Sequence, residues 1–307
     1  MKLFDLHCDT ILRIYHENTA LIKNDYHIDV EKMIKGDSLG QFFAMFVDLN
    51  STEAAFKTCN EMIDCFEHEM QLNNETIKAG TTYKEITENK EITGVITIEE
   101  GAVLEGKIEN VEHFYNRGVR SITLTWNYEN EIGYPNCKDE FREKGLKPFG
   151  IEVVKTMNEL GMLVDVSHLS DGGFWDCIKY SSKPIIASHS NARSVQDVSR
   201  NLTDDMILAL RDKGGVMGMN FCAHFLDGSK VSKVNDIVKH IRYIYDLAGI
   251  DVIAMGTDFD GIGGELEISD MSKMTLLVDA LVEEGFTEEE IEKIFYKNAL
   301  RVLEALK

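Results

Sequence analysis

Pro148-Phe-Gly-Ile-Glu-Val-Val-Lys-Thr-Met-Asn-Glu-Leu-Gly-Met-Leu-Val-Asp-Val-Ser-His168 reads as a helix followed by a strand. Pro148 suits a helix start, where its missing N–H has no intrahelical partner to lose, and Gly161 suits the stop. The spacing therefore predicts a helix over 149–160. Met162–His168 is then a short run of Met, Leu and Val that turns polar at its end. Such a run fits a buried parallel strand better than a half-exposed antiparallel one. The unit repeats in both directions. Leu3–Asp9, Gln41–Leu49, Ile92–Glu100, Arg120–Trp126, Pro184–Ser190, Gly215–Phe221 and Val252–Asp258 have the same character. Helical patterns lie between and after them. Thr52–Asn74 carries Ala55, Cys59, Met62 and Phe66 at helical spacing, Thr203 opens a further segment, and Ser232–Ala248 follows suit. Thr287 and Glu290 form a capping-box sequence ahead of Ile291, Ile294, Phe295 and Leu300. Strands alternating with helices over 3–258 predict an α/β fold, a single (β/α)8 TIM barrel domain spanning 1–307. Additional C-terminal helices, about 271–285 and 288–306, should close the barrel and pack outside it. The structural alternative is a doubly wound open sheet. That fold brings a Gly-rich phosphate turn after its first strand, and Asp9-Thr-Ile-Leu12 holds the place here.

Composition narrows the function. The 307 residues are 44% hydrophobic and 28% charged with only 3 prolines, enough apolar material for a large core. The 53 acids against 32 bases give a net charge of −21, which disfavours nucleic acid and anionic membranes as partners. The first residues have no apolar stretch of the signal-peptide kind, and no long uncharged run predicts a membrane span. Six scattered cysteines without a Cys-x-x-Cys pair read as reduced core thiols, so the chain is expected to be cytoplasmic.

The strand ends carry the chemistry, because in a barrel that face builds the site. In Asp5-Leu-His-Cys-Asp9, alternation puts Asp5, His7 and Asp9 on one side and Leu6 and Cys8 on the other. His7 and Asp9 can then meet one metal ion, and Cys8 is not expected to be a ligand. Glu99 and Glu100 end the third run, and alternation alone cannot choose between them. His168, His189, Asp258 and Asp260 end later runs. Each residue alone has a plainer reading as a hydrogen-bonded or capping group. Their convergence at one end of one barrel predicts a metal site with the N and O donors that zinc takes. His16, His27, His68, His113, His224 and His240 have no partner pattern, and surface or capping roles are expected for them. No Gly-x-Ser-x-Gly elbow supports a serine hydrolase.

Several ordered motifs resemble the membrane (renal) dipeptidase family, amidohydrolase-like zinc peptidases. They are Asp5-Leu-His-Cys-Asp9, Glu100-Gly-Ala, Gly161-Met-Leu-Val-Asp-Val-Ser-His168, Ser188-His-Ser-Asn-Ala-Arg-Ser194, Ser199-Arg-Asn201, Gly256-Thr-Asp-Phe-Asp-Gly261 and Asn298-Ala-Leu-Arg-Val302. The resemblance runs nearly the full length. It implies a metallo-dipeptidase with two zinc ions, His7 and Asp9 on one, His168 and His189 on the other, and Glu100 bridging. A hydroxide between the ions would attack the peptide bond of a dipeptide, with tolerance for a C-terminal D-residue. Asp258 would be the catalytic residue that handles the water's proton, and Arg200 would bind the substrate carboxylate. A homodimer is also implied.

One departure bears on substrate. Well-known relatives carry a histidine in a Thr-Leu-Thr-His context, and this chain has Thr123-Leu-Thr-Trp-Asn127. Trp126 has a single uncharged N–H donor, and Asn127 is the candidate to substitute. Two further readings stay open: a binuclear hydrolase of another amide or lactam, and a metal- or ligand-binding barrel without catalysis.

Overall fold

A computed structural model describes residues 1–306. All eight expected runs are strands: β1 (Leu3–Cys8), β2 (Ser38–Phe46), β3 (Ile92–Glu99), β4 (Val119–Thr123), β5 (Leu163–Asp165), β6 (Ile185–Ala187), β7 (Val216–Met219) and β8 (Ile253–Met255). They pair in parallel in the order β2-β1-β8-β7-β6-β5-β4-β3, and β2 pairs β3 from Gly40↔Thr93 to Phe46↔Glu99, closing the barrel. A short strand, Ile77–Ala79, adds to the start of β3, on the edge that β4 uses further along.

Two apolar layers follow from the two faces of each strand. Phe4, Leu6, Phe42, Val95, Leu163, Ile186, Val216 and Ala254 fill the inside of the barrel toward the strand N-termini. Ile96, Ile98, Ile122, Val164, Met217 and Met255 face the helices instead, packing with residues such as Phe66, Val153 and Met157. The helix Pro148–Leu160 starts on its proline and stops at Gly161, whose φ of 79° is the left-handed conformation that glycine tolerates. Thr203 caps Asp204–Asp212 through Met206 N, and Thr287 and Glu290 form the full capping box. Ala55–Leu72 and Val234–Ala248 occupy most of the expected spans.

The C-terminal end differs from expectation. The chain runs from Glu288 through a π-helical turn, Lys293–Lys297, into Asn298–Leu303. Ala299, Val302, Leu303 and Leu306 join the inner cluster, so this segment plugs the N-terminal end of the barrel rather than lying outside it. With that end closed by apolar side chains, the polar strand ends are left at the opposite mouth.

Candidate metal centre

Glu99 is the hub of that mouth. On β3, Val95 belongs to the inner cluster while Ile96 and Ile98 face the helices, so Thr97 and Glu99 point inward by alternation. Glu99 Oε2 lies 3.1 Å from His7 Nε2, and Oε1 lies 3.1 Å from His168 Nε2 and 3.5 Å from His189 Nε2. Two triads of donor atoms share it: His7, Asp9 and Glu99, and Glu99, His168 and His189. Glu100 is not in the cluster. Its backbone turns to φ 89° past the end of β3, and its carboxylate accepts from Ala102 N, Trp126 N and Asn130 Nδ2. Glu99, and not the Glu100 expected to bridge, therefore lies between the two donor triads. The inward face of β3 is set by the core it joins, which a pair of adjacent glutamates does not reveal.

β1 needs an irregularity to deliver its ligands. Phe4 and Leu6 are inside, but the register shifts between Asp5 and Cys8, after which Cys8 faces the helices. His7 and Asp9 reach the mouth, while Asp5 stays below it, accepting from Thr257 N at 2.8 Å, Thr257 Oγ1 at 2.7 Å and Gln41 Nε2 at 3.0 Å. The shared side expected for Asp5, His7 and Asp9 does not hold across that shift.

The histidine tautomers are fixed from behind. His189 Nδ1 is 2.7 Å from Ser188 Oγ, whose proton goes to Asp165 Oδ2. His168 Nδ1 is 3.2 Å from Asn127 Oδ1. Both Nδ1 atoms therefore donate, which leaves both Nε2 atoms as lone pairs facing each other at 3.1 Å. Two lone pairs at that distance repel unless a cation stands near them. His7 Nε2 and Asp9 Oδ1 are buried without a hydrogen-bond partner among the described residues. This donor set, imidazole nitrogens and carboxylate oxygens with outer hydrogen bonds in place, fits zinc.

The charges of the cluster are tightly coupled. Burial works to neutralise these groups, yet Glu99 and Asp9 hold the His7 imidazole well above its ordinary range. Glu99 is likewise held well below the usual carboxylate range, against its burial, by the charge of His7. Burial and the nearby Arg200 charge lower His168 to about 4, so it is neutral and able to ligate. Asp258 is pushed up to about 7 by burial and by Asp9 and Glu99, against His7 and Arg200.

Asp258 and Arg200 flank the cluster. Asp258 sits at φ 62°, and His168 at φ 66°, both in the left-handed region where non-glycine residues are strained. Asp258 Oδ1 lies 3.9 Å from His7 Nε2, and Oδ2 accepts from Asn220 Nδ2 at 2.7 Å. Arg200 donates Nη1 to Ser190 Oγ, while its buried Nε and Nη2 have no hydrogen-bond partner among the described residues. A cavity of about 320 Å³ opens over Asp9, Glu99, His168 and Asp258, walled on its apolar side by Leu12, Phe46, Trp126, Phe225 and Ile262. Trp126 packs edge-on against Phe46 with ring centres 4.7 Å apart. Asn127, expected as a substrate contact, lines the cavity but is engaged with His168. Asp260 also lines the cavity, with its carboxylate accepting from Thr10 Oγ1 and His27 N. Among the remaining histidines, His240 departs from a surface role: it is fully buried, bridging Ala192 N and Leu226 O.

Asn220 escaped the sequence reading, although it ends the seventh run and the strand-end rule that found His168 applies to it equally. Ser188 and Asp165 were in plain view within the motifs, but nothing in a sequence says which serine backs a histidine.

A model of the membrane dipeptidase family (Peptidase family M19) matches residues 1–307. An uncharacterized dipeptidase of Schizosaccharomyces pombe is 30% identical over 330 aligned residues, covering 98% of this chain and 79% of that one. Two solved structures are similar throughout. A metallo peptidase of Rhodobacter sphaeroides, liganded with a phosphinate mimic of the dipeptide L-Ala-D-Ala, has a TM-score of 0.91 at 25% identity, covering 100% of this chain and 99% of that one. A dipeptidase of family M19 has a TM-score of 0.93 at 26% identity, covering 100% and 98%.

Proposed function

From a chain that belongs to the membrane dipeptidase family and is a metallo-dipeptidase, we propose a two-zinc enzyme that cleaves dipeptides and accepts a D-residue at the C-terminal side. The observation that carries the reading is the shared Glu99 between two donor triads, with Asp258 and the unpaired Arg200 nitrogens beside it. His7 and Asp9 would hold one ion, His168 and His189 the other, and Glu99 both. Bound zinc supplies Lewis acidity, polarising a carbonyl and acidifying water near neutral pH.

The chain's own groups do the rest. Asp258 Oδ1, the oxygen not held by Asn220, takes the proton of the attacking water and returns it to the leaving amine. Arg200 anchors the substrate carboxylate through Nε and Nη2, which are edge-paired donors suited to a bidentate partner. The apolar wall takes a substrate side chain and keeps water from the reacting bond. Tolerance of a D-residue rests on the mimic bound by the Rhodobacter sphaeroides enzyme. Unpaired cysteines at six positions accord with a cytoplasmic location, where thiols stay reduced.

The Arg200 assignment is tested with a dipeptide and its C-terminal carboxamide. The wild type should prefer the free carboxylate by about a hundredfold in kcat/KM, the value of roughly 3 kcal/mol of charge-assisted bonding. Arg200→Lys should lose most of that preference. Equal rates on both substrates would remove Arg200 from the substrate site.

A further inference from the structure

Glu100 lies outside the donor cluster, yet it is fully buried in a backbone conformation that favours glycine, φ 89° and ψ 97°. Such a conformation costs a non-glycine residue about 1–3 kcal/mol and persists only when its surroundings compensate. The compensation comes from its carboxylate. Oε1 accepts from Ala102 N at 2.8 Å and Asn130 Nδ2 at 2.5 Å, and Oε2 accepts from Trp126 N at 2.9 Å. The donors come from two loops, one following β3 and one following β4. Asn130 is itself fixed, donating to Leu124 O at 2.9 Å and accepting from Ile132 N and Gly133 N. Gly101 lets the loops meet, since a Cβ there would stand 2.6 Å from Leu124 O.

The loop held in this way carries two residues of the mouth. Trp126 forms the cavity wall against Phe46, and the next residue, Asn127, faces His168 Nδ1. We propose that Glu100 is a positioning residue, a carboxylate latch that fixes the loop after β4 so that Asn127 holds the His168 tautomer and Trp126 stands as a rigid wall. Its consequence for zinc rests on the reading of His168 as a ligand; its consequence for the loop does not. The latch needs a carboxylate. All three partners are donors, so a glutamine must aim its own Nε2 at one of them, whichever way it is turned.

The test uses Glu100→Gln and Glu100→Gly in a Trp175→Phe background, which leaves Trp126 as the one tryptophan. Three readouts are taken: the His168 ring nitrogens by ¹⁵N NMR on metal-free protein, acrylamide quenching of Trp126, and zinc affinity by chelator competition. Both variants should lose the single Nδ1–H tautomer of His168, expose Trp126 to quencher, and bind zinc about 10- to 100-fold more weakly. Glutamine should be no better than glycine despite its matching shape. A harmless glutamine beside a harmful glycine would mean that Glu100 only fills space, and would overturn the latch. An unchanged tautomer with unchanged quenching in both variants would overturn it too. Should neither variant fold, Asn130→Ala removes one donor and should shift the same readouts by less; no shift there counts against the proposal. The tautomer and quenching need no substrate, so a failure of dipeptide hydrolysis leaves this test standing.

Discussion

Asp258 is asked to accept and return a proton, and its position at the edge of the donor cluster suits that task. Burial and two neighbouring carboxylates bring it up to about 7, and Asn220 leaves one oxygen free. Replacing it with asparagine keeps the shape and removes the proton acceptor. Asp258→Asn should lower kcat by at least about a hundredfold, the usual worth of general acid–base catalysis, while zinc content stays near that of the wild type. Glu99→Ala should do the opposite, with zinc lost first and activity as a result. Substantial turnover by Asp258→Asn, or full zinc occupancy in Glu99→Ala, would contradict the assigned roles. His240 offers a separate test at this scale. Burial lowers it to about 4 from 6.5, so the folded chain keeps it neutral where the unfolded chain takes a proton. Its contribution to stability is complete above about pH 6.5 and is lost as the pH falls toward 4. Between pH 7 and pH 5 that loss is about 2 kcal/mol. Urea unfolding of His240→Gln should therefore show a flatter pH dependence than the wild type over that interval, and equal slopes would refute it.

At the scale of elements, most of what the strands do was legible from their runs, because a buried parallel strand is apolar on both faces and polar where it ends. The three places that were not legible share one cause: alternation breaks or needs an origin. β1 shifts register between Asp5 and Cys8. β3 takes its inward face from Val95 and not from either glutamate. The C-terminal helices enter the barrel's closed end through a π-helical turn, which leaves no residue signature. Backbone packing at the mouth shows the same dependence on context. The Ser188 carbonyl, just ahead of His189, lies where a Cβ on Gly218 or Gly256 would stand, at 2.0 and 1.8 Å. Either strand must therefore be bare at that point for β6 to place its histidine. Gly256→Ala should destabilise the fold by about 3 kcal/mol and weaken zinc binding together, measured by denaturant unfolding and chelator competition. An unperturbed variant would show that the β6 end is free to move.

The whole molecule divides its labour between its two ends. The N-terminal end of the barrel is sealed by apolar side chains of the last helix, and the C-terminal mouth gathers every group of the proposed chemistry. Its strongest sequence signals came from residues whose type alone is informative, His7, Asp9, His168, His189 and Asp258, each at a run's end. The groups that orient them, Asn220, Asn127, Ser188 and Glu100, are ordinary polar residues, and only their neighbours in space give them meaning. Metal-dependent cleavage of a dipeptide at this mouth is what unites the two donor triads, Asp258 and Arg200. The measurement that tests it most directly is hydrolysis of a panel pairing L-Ala-L-Ala with L-Ala-D-Ala by the zinc-loaded protein, beside a chelated control. Both dipeptides should be cleaved, with cleavage abolished by the chelator and restored by zinc. Two bound zinc ions with no cleavage of either dipeptide would contradict it, and would turn the search toward another amide fitted to the Trp126 wall.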